Sequence, residues 1–183
     1  LGAIDDTYSD GLNANETTVV ELNDRRLYFN TRDQNGSATG TRGAAISTDG
    51  GESFIIDPAL KYGVFRPVGS VLDPPVVQCA LLRVQSKTDG DDQNLIVFSG
   101  PDDNGPTGRG RSDLRLRYTT DEAESWHDGP LLHVGPAAYS DLVLTGSGAV
   151  GVIFEAGDLP GKNAYQRIDF VSVPVSGIIF SSQ

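Results

Sequence analysis

The stretch STDGGESF, residues 47–54, is the most informative part of the chain about its fold, because its pattern recurs as TTDEAESW at residues 119–126. Each copy has a hydroxyl residue, an aspartate two places later, a second hydroxyl residue six places after the first, and then an aromatic residue. An aspartate in such a turn can accept hydrogen bonds from backbone N–H groups of its own turn. A catalytic group is not needed twice, whereas a clamp can serve each of several hairpins. The repeat therefore predicts that Asp49 and Asp121 hold two equivalent turns, and that the final aromatic residue packs under each hairpin.

Short apolar runs recur along the whole chain, and turns rich in glycine, proline, asparagine and aspartate separate them. Their length and spacing are typical of consecutive antiparallel strands, so we predict an all-β fold. The composition of residues 86–94 and 100–113 predicts exposed loops. The predicted strands are residues 16–22, 25–32, 42–48, 53–57, 76–84, 94–100, 113–119, 139–145, 149–155 and 165–173.

Net charge and composition exclude several kinds of partner. The 183 residues carry a formal net charge of -11. Duplex nucleic acid is bound by clustered lysines and arginines that displace counterions, and an anionic membrane surface attracts the same residues. No run approaches the about 20 apolar residues of a membrane helix. We therefore expect no nucleic-acid partner and no membrane insertion.

Cysteine and histidine are too few to indicate a disulfide framework or a metal site. Cys79 is the one cysteine and lies in the apolar run VVQCALL, so we expect a buried thiol. His127 and His133 have no third ligand at metal-binding spacing, and no phosphate-binding glycine loop is present, so neither a metal nor a cofactor is predicted. Leu1 is not a natural start, so we expect a processed or excerpted chain.

The two repeats resemble Asp-boxes, the repeat hallmark of sialidases (neuraminidases) and related β-propellers. Further segments resemble, in the same order, the functional segments of the bacterial-type exo-sialidase family, and together they cover nearly the whole chain. The resemblance implies that residues 1–183 form roughly three blades, the C-terminal half of a six-bladed propeller catalytic domain. These segments are NETTVVEL at 15–22 with LYFNTRD at 27–33, RSDLRLR at 111–117, AYSDL at 138–142 and GVIFE at 151–155.

The resemblance implies a role for five residues. Arg32 and Arg111 are implied to be two members of a three-arginine clamp, and a guanidinium fork suits the carboxylate on the anomeric carbon of sialic acid. Tyr139 is implied to be the nucleophile, because a neutral phenol avoids the repulsion that a carboxylate would meet there. Glu16 is implied to accept the phenol proton, and Glu155 to orient an arginine by ion pairing.

Several neighbouring residues compete for these roles in the sequence. Arg115 and Arg117 are rivals for the third arginine of the clamp, although both lie within an alternating strand. Glu21 is the nearest rival for the base. Arg66 is rejected as the first arginine, because it lacks the isoleucine of the family's Arg-Ile-Pro motif and follows the base instead of preceding it.

The function that the resemblance implies is that of a glycoside hydrolase, an exo-α-sialidase that releases terminal sialic acid with retention through a tyrosyl intermediate. The substrate would be a sialylated glycan. A non-catalytic Asp-box propeller that binds glycans or proteins is the alternative, and a trans-sialidase is a third reading. The family's first arginine and acid/base aspartate are not in this chain, so activity is expected to need the N-terminal half of the propeller. The family implies a secreted, periplasmic or cell-surface location.

Overall fold

The computed structural model describes residues 12–34, 41–55, 66–67, 71–102, 110–161 and 163–179. The strands in this part confirm the prediction of an all-β chain, and each paired strand runs antiparallel to its neighbour. No helix of the described residues is long and apolar enough to cross a membrane. The 3-10 helices are Lys87–Asp89 and Val175–Gly177. The strands are β1 Ala14–Glu21, β2 Leu27–Asp33, β3 Arg42–Ser47, β4 Arg66–Pro67, β5 Ala80–Gln85, β6 Leu95–Pro101, β7 Ser112–Thr119, β8 His127–Leu144, β9 Ala149–Ala156 and β10 Arg167–Pro174.

These strands form three blades, two of which share β8. The first blade has the order β1-β2-β3-β4, and the remaining strands follow the order β10-β9-β8-β7-β6-β5. Residues 127–136 of β8 pair with β7, whereas residues 137–144 pair with β9. We therefore assign β5, β6, β7 and residues 127–136 to the second blade, and residues 137–144, β9 and β10 to the third.

Several strand predictions differ from the structure. The strand predicted at 76–84 begins only at Ala80, and the short strand Arg66–Pro67 was not predicted. The sequence predicted a strand at 139–145, but β8 begins at His127 and runs for 18 residues. The predicted strand at 53–57 is absent over residues 53–55, although the N–H of Ile55 donates to the carbonyl of Ile46, and residues 56–57 lie outside the described part of the chain.

The apolar cores lie between neighbouring blades. β6 is buried along its whole length and supplies both cores from its two faces. Ile96 and Phe98 pack into the first core, with residues of the first blade. Leu95 and Val97 pack into the second core, with residues of the third blade. A strand that is covered on both faces has apolar residues at successive positions, and the run NLIVFSG in the sequence shows this pattern. Cys79 is buried in the first core, as predicted, and burial raises the pKa of its thiol.

The repeated stretches form equivalent turns, each after the third strand of its blade. One carboxylate oxygen of Asp49 accepts hydrogen bonds from the hydroxyl of Ser47 at 2.8 Å and the N–H of Ser53 at 2.9 Å, and the other accepts from the Ser53 hydroxyl at 2.5 Å. The same bonds recur around Asp121 at 2.5 to 2.9 Å. The hydrogen bonds from Ser53 and Ser47 lower the pKa of Asp49 to about 2. The prediction that both aspartates hold turns is confirmed.

The aromatic residue that ends each turn packs as predicted. The Phe54 ring meets the Phe29 ring edge to face, with 5.1 Å between their centroids. Trp126 is buried in the first core, where its centroid lies 6.4 Å from that of Tyr28 and 6.2 Å from that of Phe98. Each ring thereby fixes the chain that leaves the turn against the body of the protein.

The second turn differs from the first in lacking glycine. The two glycines of the first turn have φ values of 73° and 91°, and their places are taken by Glu122 and Ala123 at 63° and 69°. Such left-handed conformations are unfavourable for residues with a Cβ atom. The Glu122 carboxylate accepts two hydrogen bonds from Arg83 of β5, at 2.8 and 2.6 Å, and one from the N–H of Asn23 in the first blade, at 2.8 Å. The second turn therefore fastens the first blade to the second.

Candidate active site

A β-bulge brings Glu16 and Arg32 together. The pairing of β1 with β2 shifts register between Ala14 and Thr17, and Glu16 lies in this shift. Nη1 of Arg32 donates to both carboxylate oxygens of Glu16, at 3.0 and 2.9 Å. The Arg32 side chain is 11% exposed and that of Glu16 is 32% exposed, so the ion pair is partly shielded from water. Bulges often re-aim side chains next to active sites.

A second bulge places Tyr139 against this pair. The pairing of β8 with β9 shifts register between Ala137 and Ser140, and the displaced N–H of Tyr139 donates to the Glu155 carboxylate at 3.1 Å. The Tyr139 hydroxyl donates to Oε1 of Glu16 at 2.6 Å. Nη1 of Arg32 donates to the same phenol oxygen at 3.3 Å. A phenol, a carboxylate and a guanidinium from two blades therefore form one hydrogen-bonded cluster.

The protonation states of the cluster follow from these contacts. Burial acts to raise the pKa of Glu16, but the hydrogen bond from Tyr139 and the charge of Arg32 outweigh it and lower that pKa below its ordinary value. The pKa of Tyr139 is raised, because its hydroxyl donates to Glu16 and because it is partly buried. At neutral pH Glu16 is therefore ionised and Tyr139 keeps its proton. A neutral hydroxyl that donates to an ionised base has the arrangement of an activated nucleophile.

Arg111 lies directly over the phenol of the cluster. Its guanidinium carbon is 5.5 Å from the centroid of the Tyr139 ring, within the range of a cation–π contact. Nη2 donates to the carbonyl of Val76 at 3.0 Å, and Nη1 donates to the hydroxyl of Tyr165 at 2.7 Å. The structure thus brings four of the five predicted site residues, Glu16, Arg32, Arg111 and Tyr139, to one place.

The rival residues are engaged elsewhere. Asp102 accepts from Nε of Arg115 at 2.8 Å and from Nη2 of the fully buried Arg117 at 2.6 Å, so both arginines serve a partly buried ion-pair network. Glu21 has an exposed carboxylate that pairs with Arg25 at 3.5 Å. The side chain of Arg66 lies outside the described residues, so its rejection stays a prediction.

Glu155 lies beside the cluster, with a different partner from the predicted one. Its carboxylate accepts from the backbone of Tyr139, and within the described ranges no arginine forms an ion pair with it. A cavity of about 530 Å³ opens next to it, and the lining includes Thr17, Gln78 and Asp141. Among the described residues, the Glu155 carboxylate therefore faces an open space beside Tyr139.

Sequence reasoning missed two residues that shape the site. Tyr165 contacts Arg111, and the side-chain oxygen of Gln78 accepts from the N–H of Ser140 at 3.1 Å, next to Tyr139. Neither lies in a repeat or in a segment that resembles the family, so no local pattern marked them. Their roles depend on contacts across more than 50 residues of chain.

Known sialidases are similar to this chain in sequence and in fold. No family model matches the chain. A sialidase from Micromonospora viridifaciens is 27% identical over 149 residues, which are 80% of this chain and 21% of that protein. This similarity supports the resemblance to the bacterial-type sialidases. The chain spans about a fifth of the length of the curated sialidase that it matches.

Solved sialidase structures share the fold. The intramolecular trans-sialidase from Ruminococcus gnavus, solved with oseltamivir carboxylate, matches with a TM-score of 0.64 and 18% identity, over 93% of this chain and 34% of its own. A Streptococcus pneumoniae sialidase matches with a TM-score of 0.60 and 20% identity, over 90% of this chain and 24% of its own. The three blades are therefore those of a sialidase-type β-propeller, as the resemblance implied.

Proposed function

We propose that this chain supplies the nucleophile, its base and two substrate-binding arginines of an exo-α-sialidase, a glycoside hydrolase that releases terminal sialic acid from glycoconjugates. The observation that carries the proposal is the 2.6 Å hydrogen bond from the Tyr139 hydroxyl to Glu16, with Arg32 bonded to both groups. A glycan-binding module has no need for a partly buried phenol–carboxylate pair of this kind. Catalysis is therefore favoured over the non-catalytic propeller.

The substrate's carboxylate would be held by Arg111 and Arg32. Among the described residues, Arg111 contacts only neutral groups, so its positive charge is not neutralised by a neighbouring carboxylate. Arg32 pairs with Glu16 through Nη1, while its Nε is buried without a hydrogen-bond partner. An unpaired buried donor is costly, and a bound carboxylate could lower that cost by drawing the guanidinium toward it.

The proposed first step transfers the sugar to Tyr139. The phenol oxygen forms a bond to the anomeric carbon while the bond from that carbon to the leaving oxygen breaks, and the phenol proton passes to Glu16. Arg32 lies 3.3 Å from the phenol oxygen and stabilises the negative charge that develops there. The leaving alcohol takes its proton from an acid that the family resemblance places outside this chain.

The second step reverses these transfers and gives retention. Water attacks the anomeric carbon and gives a proton to the conjugate base of the acid that acted in the first step, while the bond to the Tyr139 oxygen breaks and Glu16 returns its proton to the phenol. Two displacements at one carbon restore its original configuration. If a hydroxyl group of the substrate takes the place of water, the same intermediate gives transfer, and the match to an intramolecular trans-sialidase keeps that activity as the second candidate.

We also propose that the N-terminal half of the propeller completes the site. That half would supply the first arginine and the acid/base aspartate, and its arginine would enter the cavity beside Glu155 and pair with that carboxylate. The cavity of about 530 Å³ and the lack of an arginine partner for Glu155 among the described residues support this placement. The 183-residue chain alone is expected to be inactive and poorly soluble, and the whole protein to be secreted, periplasmic or on the cell surface.

Turnover of a fluorogenic sialoside by the full-length protein tests the proposal. Glu16→Gln removes the base and should lower kcat by about 10²- to 10⁴-fold, the usual contribution of a positioned base. Glu21→Gln makes the same chemical change on the same strand, five residues away and outside the site, and should leave turnover at the wild-type rate. Equal activities of the two variants would disprove the assignment of the base.

Two further variants separate the nucleophile from the clamp. Tyr139→Phe keeps the ring but removes the attacking oxygen, so turnover should be lost while affinity for a sialic-acid-like inhibitor is largely kept. Arg111→Ala should weaken that affinity as well, because it removes a charge-assisted contact. Wild-type turnover by Tyr139→Phe would refute the tyrosyl mechanism. Product analysis by NMR distinguishes released sialic acid from a transfer product.

A further inference from the structure

We propose that Tyr165 is a positioning residue for the carboxylate clamp. Its phenol oxygen accepts from Nη1 of Arg111 at 2.7 Å and holds the guanidinium in the orientation that receives the substrate. This inference rests on the proposed function of Arg111. It assigns a role to a residue outside every segment that resembles the family.

The loop between β9 and β10 fixes where Tyr165 lies. The N–H of Tyr165 donates to the side-chain oxygen of Asn163 at 2.9 Å, and the N–H of Gln166 donates to the carbonyl of Ala156 at 3.1 Å. The preceding residue, Ala164, is 3% exposed and packs into the first core. Tyr165 itself is 60% exposed, so its ring contributes little to the core. The backbone is therefore anchored on both sides of a side chain that reaches outward to Arg111.

The described partners of Arg111 hold it without neutralising it. The Val76 carbonyl fixes one terminal nitrogen, the Tyr139 ring lies under the guanidinium plane, and Tyr165 fixes the other terminal nitrogen. With Nη1 released, the guanidinium could turn about its remaining bond to Val76. A carboxylate in place of the phenol would also hold the nitrogen, but it would compete with the substrate for the positive charge. A neutral acceptor fixes the orientation and leaves the charge for the ligand.

The test measures the affinity of the full-length protein for oseltamivir carboxylate by calorimetry. Tyr165→Phe should weaken binding by about 3- to 10-fold, the range of an ordinary hydrogen bond, because the exposure of Tyr165 to water lowers the contribution of its bond to the charged group. For a fluorogenic sialoside, KM should rise by a similar factor with kcat nearly unchanged, because the carboxylate is held in both the ground state and the transition state. A purely structural defect would not give this split between KM and kcat.

A double-mutant cycle and a loop control decide the outcome. In the Arg111→Ala background, Tyr165→Phe should have no further effect, because the phenol acts through that arginine. Gln166→Ala disturbs the same loop by removing an acceptor for the N–H of Asp158, yet it should leave the Kd unchanged. Wild-type affinity of Tyr165→Phe, additive losses in the cycle, or an equal loss in Gln166→Ala would each overturn the inference. A wild-type protein that neither binds the inhibitor nor cleaves the sialoside would instead refute the proposed function, and the inference with it.

Discussion

Replacing Glu122 with glycine sets two opposing effects against each other in the second turn. Glycine removes the strain of a left-handed residue at φ 63°, which is worth about 1 kcal/mol. The same change removes a carboxylate that holds Arg83 at 2.8 and 2.6 Å and the N–H of Asn23 at 2.8 Å. Breaking a fully buried pair costs about 3–5 kcal/mol, and exposure of 19% for both side chains reduces this to about 2–3 kcal/mol. The net loss of unfolding free energy should be about 1–2 kcal/mol.

Ala123→Gly is the matched control, because it relieves the same kind of strain at φ 69° without touching an ion pair. Its unfolding free energy should lie between the wild-type value and about 1 kcal/mol above it, since a methyl contact with the first core is also lost. The assay is urea unfolding of the full-length protein, followed by the fluorescence of Trp126, which ends the same turn. If Glu122→Gly proves as stable as Ala123→Gly, the carboxylate does not fasten the first blade to the second.

Three further predictions concern charged groups. The pKa of Asp49 is lowered from 3.8 to about 2 in the folded state. The stability that the ionised Asp49 carboxylate contributes should therefore be complete above its unfolded-state pKa and should be lost as the pH falls toward 2. Asp49→Asn should abolish this loss of stability at low pH in urea titrations. Asp102→Asn should lower the unfolding free energy by about 1–2 kcal/mol, because it removes the closest charge partner of the buried Arg117 while Asp73 and Asp128 remain 3.9 Å away; an unchanged urea midpoint would contradict this. Arg32→Gln should raise the pKa of Glu16 and move the acid limb of the kcat/KM profile to higher pH, whereas an unmoved limb would show that the arginine charge does not set it.

The sequence predicted most strands but missed the first half of β8. That half contains Gly129, Pro130, Gly135 and Pro136, residues that normally argue against a strand. The structure tolerates them because residues 127–136 pair with β7 alone, so each proline can lie at an edge without breaking a second ladder. Whether a segment lies at the edge of a sheet depends on the assembled sheet, so the sequence of the segment itself does not indicate it.

The resemblance predicted the individual site residues and the contact of Tyr139 with Glu16, whereas the strand geometry that brings them together was not predictable. The resemblance named Tyr139, Glu16 and the two arginines, and the structure brings them together. Their positions depend on register shifts in β1 and β8, which arise from strand pairing and have no pattern of their own in the sequence. Tyr165 was missed for a related reason, since its contact with Arg111 spans 54 residues and joins a loop to the start of a strand.

The sharing of β8 limits how this protein can be divided. Because a propeller is built from blades, blade boundaries are the obvious places at which to join chimaeras or to split the protein. Here the boundary between the second and third blades falls inside one continuous strand, and Tyr139 follows it by three residues. A split between residues 136 and 137 would place Tyr139 and Arg111 on different fragments, whereas a break in the exposed turn at 146–148 leaves both on one fragment. Two fragments produced by a break at 146–148 should therefore reassemble into the folded protein, whereas two fragments split at the blade boundary between residues 136 and 137 should not.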